Sequence, residues 1–155
     1  MNRFGLFVHE IASSQKGVQM LHNLDKLITE CDIFPLVFYE NYPEMPVFPR
    51  FAMLQSREAW LYDAPLIATS IEGTQKILDC PRCSHKIFYI WNIDWLFRQQ
   101  QSLESLAEIY NNDNLHLVAR SSAHAKIIAN CWKDPIGIIK DFDYHDIAKI
   151  ISDLD

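Results

Sequence analysis

Short apolar runs alternate with helical patterns along the whole chain. Phe4-Gly5-Leu6-Phe7-Val8 is a continuous apolar run of buried-strand length. The polar stretch His9 to Lys16 leads to Gly17 and a first helix, in which Val18, Leu21, Leu24, Leu27 and Ile28 recur at helical spacing. Phe34 to Tyr39 reads as the second strand, and the prolines between Tyr42 and Pro49 make a loop. Phe51 to Tyr62 reads as a short helix carrying Met53, Leu54 and Trp60. Pro65 to Ser70 forms the third strand, Gly73 to Leu78 opens another helix, and Cys80-Pro81-Arg82-Cys83 is a turn. Lys86 to Trp91 is the fourth strand. Ser102 caps a helix reaching Tyr110, and Leu115 to Ala119 is the fifth strand. Ser122 to Trp132 is helical, and Pro135 to Ile139 is the sixth strand. Asp143 caps a last helix with Ile147, Ile150 and Ile151 on its apolar face.

These strands are apolar throughout and do not alternate, which marks a sheet covered on both faces. The expected fold is α/β: one doubly wound, mostly parallel sheet of about six strands with helices on both faces, a Rossmann-like arrangement. A single domain spans residues 1–155. Ligands of such sheets sit beyond the carboxyl ends of the strands. That rule nominates His9 to Gly17, Thr69 to Gly73, Asn92 to Trp95 and Arg120 to His124.

Charge and composition narrow the function classes. The formal charge is −6, from 14 basic and 20 acidic residues, with no basic block to meet phosphates, so nucleic acid is not an expected partner. No apolar run has the roughly 20 residues of a bilayer span, and membrane insertion is not expected. The opening Met1-Asn2-Arg3-Phe4 runs straight into a strand and lacks a signal-peptide pattern, so a cytoplasmic location is expected. In that reducing setting Cys31, Cys80, Cys83 and Cys131 read as thiols or ligands.

Several residues could carry chemistry. His9 and Glu10 end the first strand, where an imidazole and a carboxylate suit acceptor binding or proton transfer; a hydrogen-bonded strand end is the plainer alternative. Asn92 and Asp94 stand between Trp91 and Trp95, and an aromatic face can stack on a sugar ring or pack in the core. Arg120 offers a forked contact to phosphate or carboxylate, while Ser121 or Ser122 reads chiefly as a helix N-cap, with a ligand contact as the alternative for Ser121. Cys80-x-x-Cys83 with His85 has zinc-knuckle spacing, but no second knuckle supplies a fourth ligand. Trp60 and Trp132 read as core, and His22, His116 and His145 as surface or helix-face positions. Neither a phosphate-binding Gly-Lys-Ser/Thr loop nor a Gly-x-Ser-x-Gly elbow occurs, and no cofactor is expected.

Taken in chain order, four segments resemble the N-terminal, acceptor-side domain of GT-B-type glycosyltransferases. The small-residue turn Ala68-Thr69-Ser70-Ile71-Glu72-Gly73 follows the third strand, and Asn92 stands where that family carries a reactive His. Ala119 to Lys126 is similar to the family's Ser-led helix, and Ile138 to Asp143 to its following turn. The reduced glycosyltransferase-like proteins of large tailed phages are similar in style. The resemblance implies sugar transfer with Glu10 or Asp94 as base and His9, Asn92, Trp95, Arg120 and Ser121 around the substrate. It also implies a nucleotide-sugar or sugar acceptor as ligand, and a separate partner for the donor-binding half, which 155 residues cannot include. The rival expectation is a non-enzymatic interaction or assembly protein on a degenerate Rossmann-like fold, a homo-oligomer or a component of a larger particle, docking through Phe38 to Trp60 with Tyr39, Tyr42, Phe48, Phe51 and Trp60 as anchors.

Overall fold

The computed structural model describes residues 3–10, 15–41, 48–96 and 102–154. Its strands are β1 (Arg3–Val8), β2 (Phe34–Tyr39), β3 (Ala52–Gln55), β4 (Leu66–Ala68), β5 (Lys86–Ile90), β6 (Leu115–Ala119) and β7 (Gly137–Ile138). All pair in parallel, in the order β3-β2-β1-β4-β5-β6-β7. The chain winds outward from β1 to β3, returns, and winds the other way from β4, so the topological switch lies between β1 and β4. Helices α1 (Gln15–Cys31) and α5 (Tyr144–Leu154) cover one face. On the other face lie α2 (Ile71–Leu78), α3 (Leu103–Tyr110) and α4 (Ser122–Cys131). The doubly wound α/β expectation holds, with seven strands among the described residues where about six were expected. Among the described residues no helix is long and apolar enough to cross a membrane.

The extra strand corrects the reading of Phe51 to Tyr62 as a helix. Ala52–Gln55 is an edge strand in register with β2 from Leu36↔Ala52 to Tyr39↔Gln55, and Ser56–Leu61 is a 3-10 turn. Ala, Met, Leu and Gln all favour helix locally, but a free strand edge at β2 outweighs that weak preference. Trp60, expected in the core, is 52% exposed on the turn. Of the expected docking anchors, Phe51 is buried, Tyr39 half-buried and Phe48 fully exposed, while Tyr42 lies outside the described residues.

Successive strand residues point to opposite faces, and both faces are filled. Phe4, Leu6 and Val8 pack with Leu24 and Leu27 of α1 and Ile147 and Ile151 of α5. Phe88 and Ile90 meet Leu106, Ile109 and Ile128 on the other side. This double coverage is why the strands read as unbroken apolar runs. At the end of α1, Asp32 takes the left-handed conformation (φ 53°) and the Ile33 N–H reaches back to the Leu27 carbonyl at 3.1 Å, a helix stop usually made with glycine.

A second left-handed turn follows β7, at Asp141 (φ 49°) and Phe142 (φ 60°). Such a φ is costly for a bulky side chain and needs surroundings that enforce it. The Tyr89 hydroxyl donates to the Ile139 carbonyl (3.1 Å) and accepts from the Phe142 N–H (3.2 Å). The Asn23 amide donates to the Phe142 carbonyl at 2.9 Å, all in the interior. Two segments remote in sequence, α1 and β5, thereby fix one turn.

Gly5 meets a different need. A Cβ there would stand 2.5 Å from Leu66 Cδ2, 2.8 Å from Phe38 Cε2 and 3.0 Å from Tyr62 Cε1. The return from β3 to β4 lies flat on β1 and β2 through Ala59 and Tyr62, and only a bare backbone leaves it room.

Gly5→Ala is expected to destabilise the chain by about 1–3 kcal/mol through overpacking, read as a lower urea midpoint with unchanged slope. Tyr89→Phe leaves the buried Phe142 N–H without its acceptor and is expected to cost about 1–3 kcal/mol by the same measurement. An unchanged midpoint in either variant contradicts the corresponding account.

Candidate functional site

The switch between β1 and β4 opens into a cleft of about 400 Å³ at the carboxyl edge of the sheet. Phe7 and His9 come from β1 and its end, Glu40 from the end of β2, and Ser70, Gly73 and Lys76 from the start and body of α2. The parallel register explains the first meeting: Val8 pairs with Tyr39, so the residues just past them, His9 and Glu40, emerge side by side. Backbone bonds hold them there, Glu40 N–H to Val8 C=O at 3.3 Å and Asn41 N–H to His9 C=O at 3.0 Å.

The His9 ring is oriented at both nitrogens. Nδ1 lies 2.8 Å from Glu40 Oε2, and Nε2 lies 3.0 Å from the Asn41 amide nitrogen. A neutral ring that donates from Nδ1 and accepts at Nε2 satisfies both contacts. Lys76 donates to the other Glu40 oxygen, so the carboxylate is shared between imidazole and ammonium. Ser70 caps α2 by accepting the Gly73 N–H at 3.0 Å, and its carbonyl accepts the buried Thr74 hydroxyl at 2.8 Å. This cap fixes where α2 begins and hence where Lys76 stands on it.

Glu10 follows His9 and points to the opposite face, as consecutive extended residues must. It lines a smaller depression of about 180 Å³ beside α1, with Lys16, Trp91 and Asn92. Lys16 donates to the Asn92 side-chain oxygen at 3.3 Å and lies 5.3 Å from the Trp91 ring centre. Ser13 and Ser14 of the preceding loop lie outside the described residues.

The remaining expected site residues are not gathered at either hollow. Asp94 opens a 3-10 turn, Asp94–Leu96, and lines neither of them. Trp95 is buried, edge-on to Tyr110 and Trp132 at 5.1 and 6.0 Å between ring centres, and its faces are covered by protein. Arg120 Nε lies 3.2 Å from Asp141 Oδ1, at the left-handed turn. Ser121 caps α4 by accepting the His124 N–H at 3.2 Å. Sequence reasoning missed Glu40, Asn41 and Lys76. The end of β2 was not among the nominated edges, although the in-phase pairing of the first two strands would have pointed to it.

The cysteine turn follows α2, and Cys80 lines a second hollow together with Phe7 and Lys76. Burial, with the neighbouring Cys83, pushes the Cys80 thiol up to about 11, and its Sγ donates to the Lys76 carbonyl at 3.5 Å. Burial likewise raises Cys83. Both thiols are therefore protonated near neutrality, a state unsuited to nucleophilic or redox work. His85 turns instead to His116, with Nδ1 and Nε2 3.4 Å apart. Among the described residues no three of His, Cys, Asp and Glu are grouped to hold a metal ion.

Compared with protein-family models, with curated proteins and with solved structures, the chain matches none.

The histidine pair gives the fold a pH dependence. Burial, then the His85 ring and the Lys133 ammonium, hold His116 below the ordinary value of 6.5. The unfolded chain therefore binds this proton more readily than the folded one. Its contribution to stability is complete above about 6.5 and is lost as pH falls below it. The urea midpoint is expected to drop between about pH 7.5 and pH 5.5, and His116→Gln to flatten that drop. An equal drop in the variant assigns the effect to other groups.

Proposed function

We propose that this chain is the acceptor-side half of a glycosyltransferase-like protein, with His9 as the base that activates an acceptor hydroxyl. The observation that carries this reading is the His9–Glu40 pair, 2.8 Å apart, at the lip of the switch-point cleft. In this role the acceptor hydroxyl takes the place of the Asn41 amide at Nε2. Its proton passes to Nε2 as its oxygen attacks the anomeric carbon of a donor sugar, and the bond from that carbon to the nucleotide phosphate breaks. The Glu40 carboxylate stabilises the imidazolium so formed and keeps the ring in its productive tautomer. Glu10 and Asp94 are weaker choices, since neither shares a cavity with an orienting partner of this kind.

The charge of the cleft favours an acceptor over a nucleotide. Among the described residues, Glu40 and Glu72 line it beside the ammonium of Lys76 and the imidazole of His9. A diphosphate would face two carboxylates there, which repel it. The donor accordingly belongs to a partner half, and Glu10, Asn92 and Arg120 belong to the edge that such a half would face.

A second reading, an interaction or assembly module, draws on the exposed apolar side chains of Phe48, Leu54 and Leu61 around the free edge of β3. The two readings part in a thermal-shift experiment. Neutral mono- and disaccharides are expected to raise the melting temperature and UDP, GDP and ADP to leave it unchanged, since a ligand confined to the folded state must stabilise it. His9→Ala and Glu40→Gln are expected to abolish the sugar shift. Stabilisation by nucleotide but not by sugar, or a sugar shift that survives His9→Ala, overturns the acceptor reading; no shift at all, together with self-association, favours the module.

A further inference from the structure

The cleft at His9 has a neighbour. A second hollow of about 200 Å³ adjoins it, and Phe7 and Lys76 belong to the walls of both. Its other walls include Ser56, Arg57, Trp60 and Asp79. Trp60 is the one apolar side chain of this group that is exposed, at 52%, while Phe7 is buried beneath. The turn that carries Trp60 is pinned to the sheet through the buried Ala59 and through Tyr62, so the indole stands on a rigid base.

This combination has a recognisable chemistry. An indole face beside a hollow offers a flat apolar platform, which suits the C–H face of a pyranose ring. Around it stand donors (Arg57, Lys76), an acceptor (Asp79) and a hydroxyl that serves as either (Ser56), a set able to pair with vicinal hydroxyl groups. Over the two hollows together, Glu40, Glu72 and Asp79 oppose Lys76 and Arg57. That balance disfavours a phosphorylated or carboxylated ligand and suits a neutral one.

We infer that the acceptor is a neutral saccharide of at least two units, whose terminal ring enters the cleft at His9 while the next ring stacks on Trp60. This rests on the acceptor reading of the cleft. It adds a length requirement and a specificity-determining residue that the His9–Glu40 pair alone does not contain. Trp60 takes no part in proton transfer; it sets which acceptors are held long enough to react.

The test applies the fluorescently labelled full chain to a printed array of mono- to tetrasaccharides and measures affinities for the bound sugars by titration calorimetry. Longer saccharides are expected to bind at least about tenfold more tightly than the monosaccharide that ends them. Trp60→Ala is expected to remove that gain while leaving monosaccharide binding unchanged, and Trp60→Phe, which keeps a ring, to restore most of it. Equal affinities for mono- and disaccharides, or a gain that Trp60→Ala does not touch, overturns the stacking subsite while the His9 cleft stands. Absence of any bound saccharide, or binding that His9→Ala leaves intact, removes the acceptor reading and this inference with it.

Discussion

The steric constraint at Gly5 governs the rest of the architecture. A sheet wound in two directions needs one return path from its outer strand to its middle, and here that path is a single 3-10 turn followed by Tyr62. A full helix would stand off the sheet by its own diameter. This thin return instead lies against the backbone of β1, with Tyr62 and Leu66 over the missing Cβ of Gly5. The strand ends and the start of α2 are thereby drawn into one neighbourhood. Glu40 arrives from one winding direction, Lys76 from the other, and His9 from the strand between them.

Much of this was legible in the sequence because burial on two faces leaves a direct imprint. Unbroken apolar runs such as Phe4 to Val8 and Ile87 to Trp91 have no other economical explanation than a covered parallel sheet. Caps were legible for a similar reason: Ser102 and Asp143 hold backbone N–H groups that follow them closely, so a local pattern contains the whole interaction. Edge strand β3 was not legible. Ala52 to Gln55 carries helix-forming side chains, and its strand state is decided by the open edge of β2, which no local window contains.

The candidate site divides along the same line. His9 and Glu10 could be nominated because a strand end is visible in sequence. Their separation onto opposite sides follows from strand geometry, and the partners that orient His9 follow from pairing register. Both are properties of the sheet and not of the segment. Arg120, Ser121 and Trp95 illustrate the reverse: each has the right chemistry for a ligand, yet an ion pair, a helix cap and aromatic packing respectively engage them within the protein. Sequence shows what a side chain is able to do, and the tertiary neighbours decide which of those abilities is taken.

The placement of β1 also has a consequence for synthesis. The strand destined for the middle of the sheet is made before both of its neighbours, and one of these, β4, follows some 60 residues later, as the Gly5–Leu66 pairing shows. Until then the nascent chain holds Phe7 and Phe38 without α2 to cover them. Pairings of such long sequence separation form slowly and leave apolar surface open meanwhile. A chain of this topology therefore passes through a stage at which holdase chaperones compete with its own second half for the same face of β1.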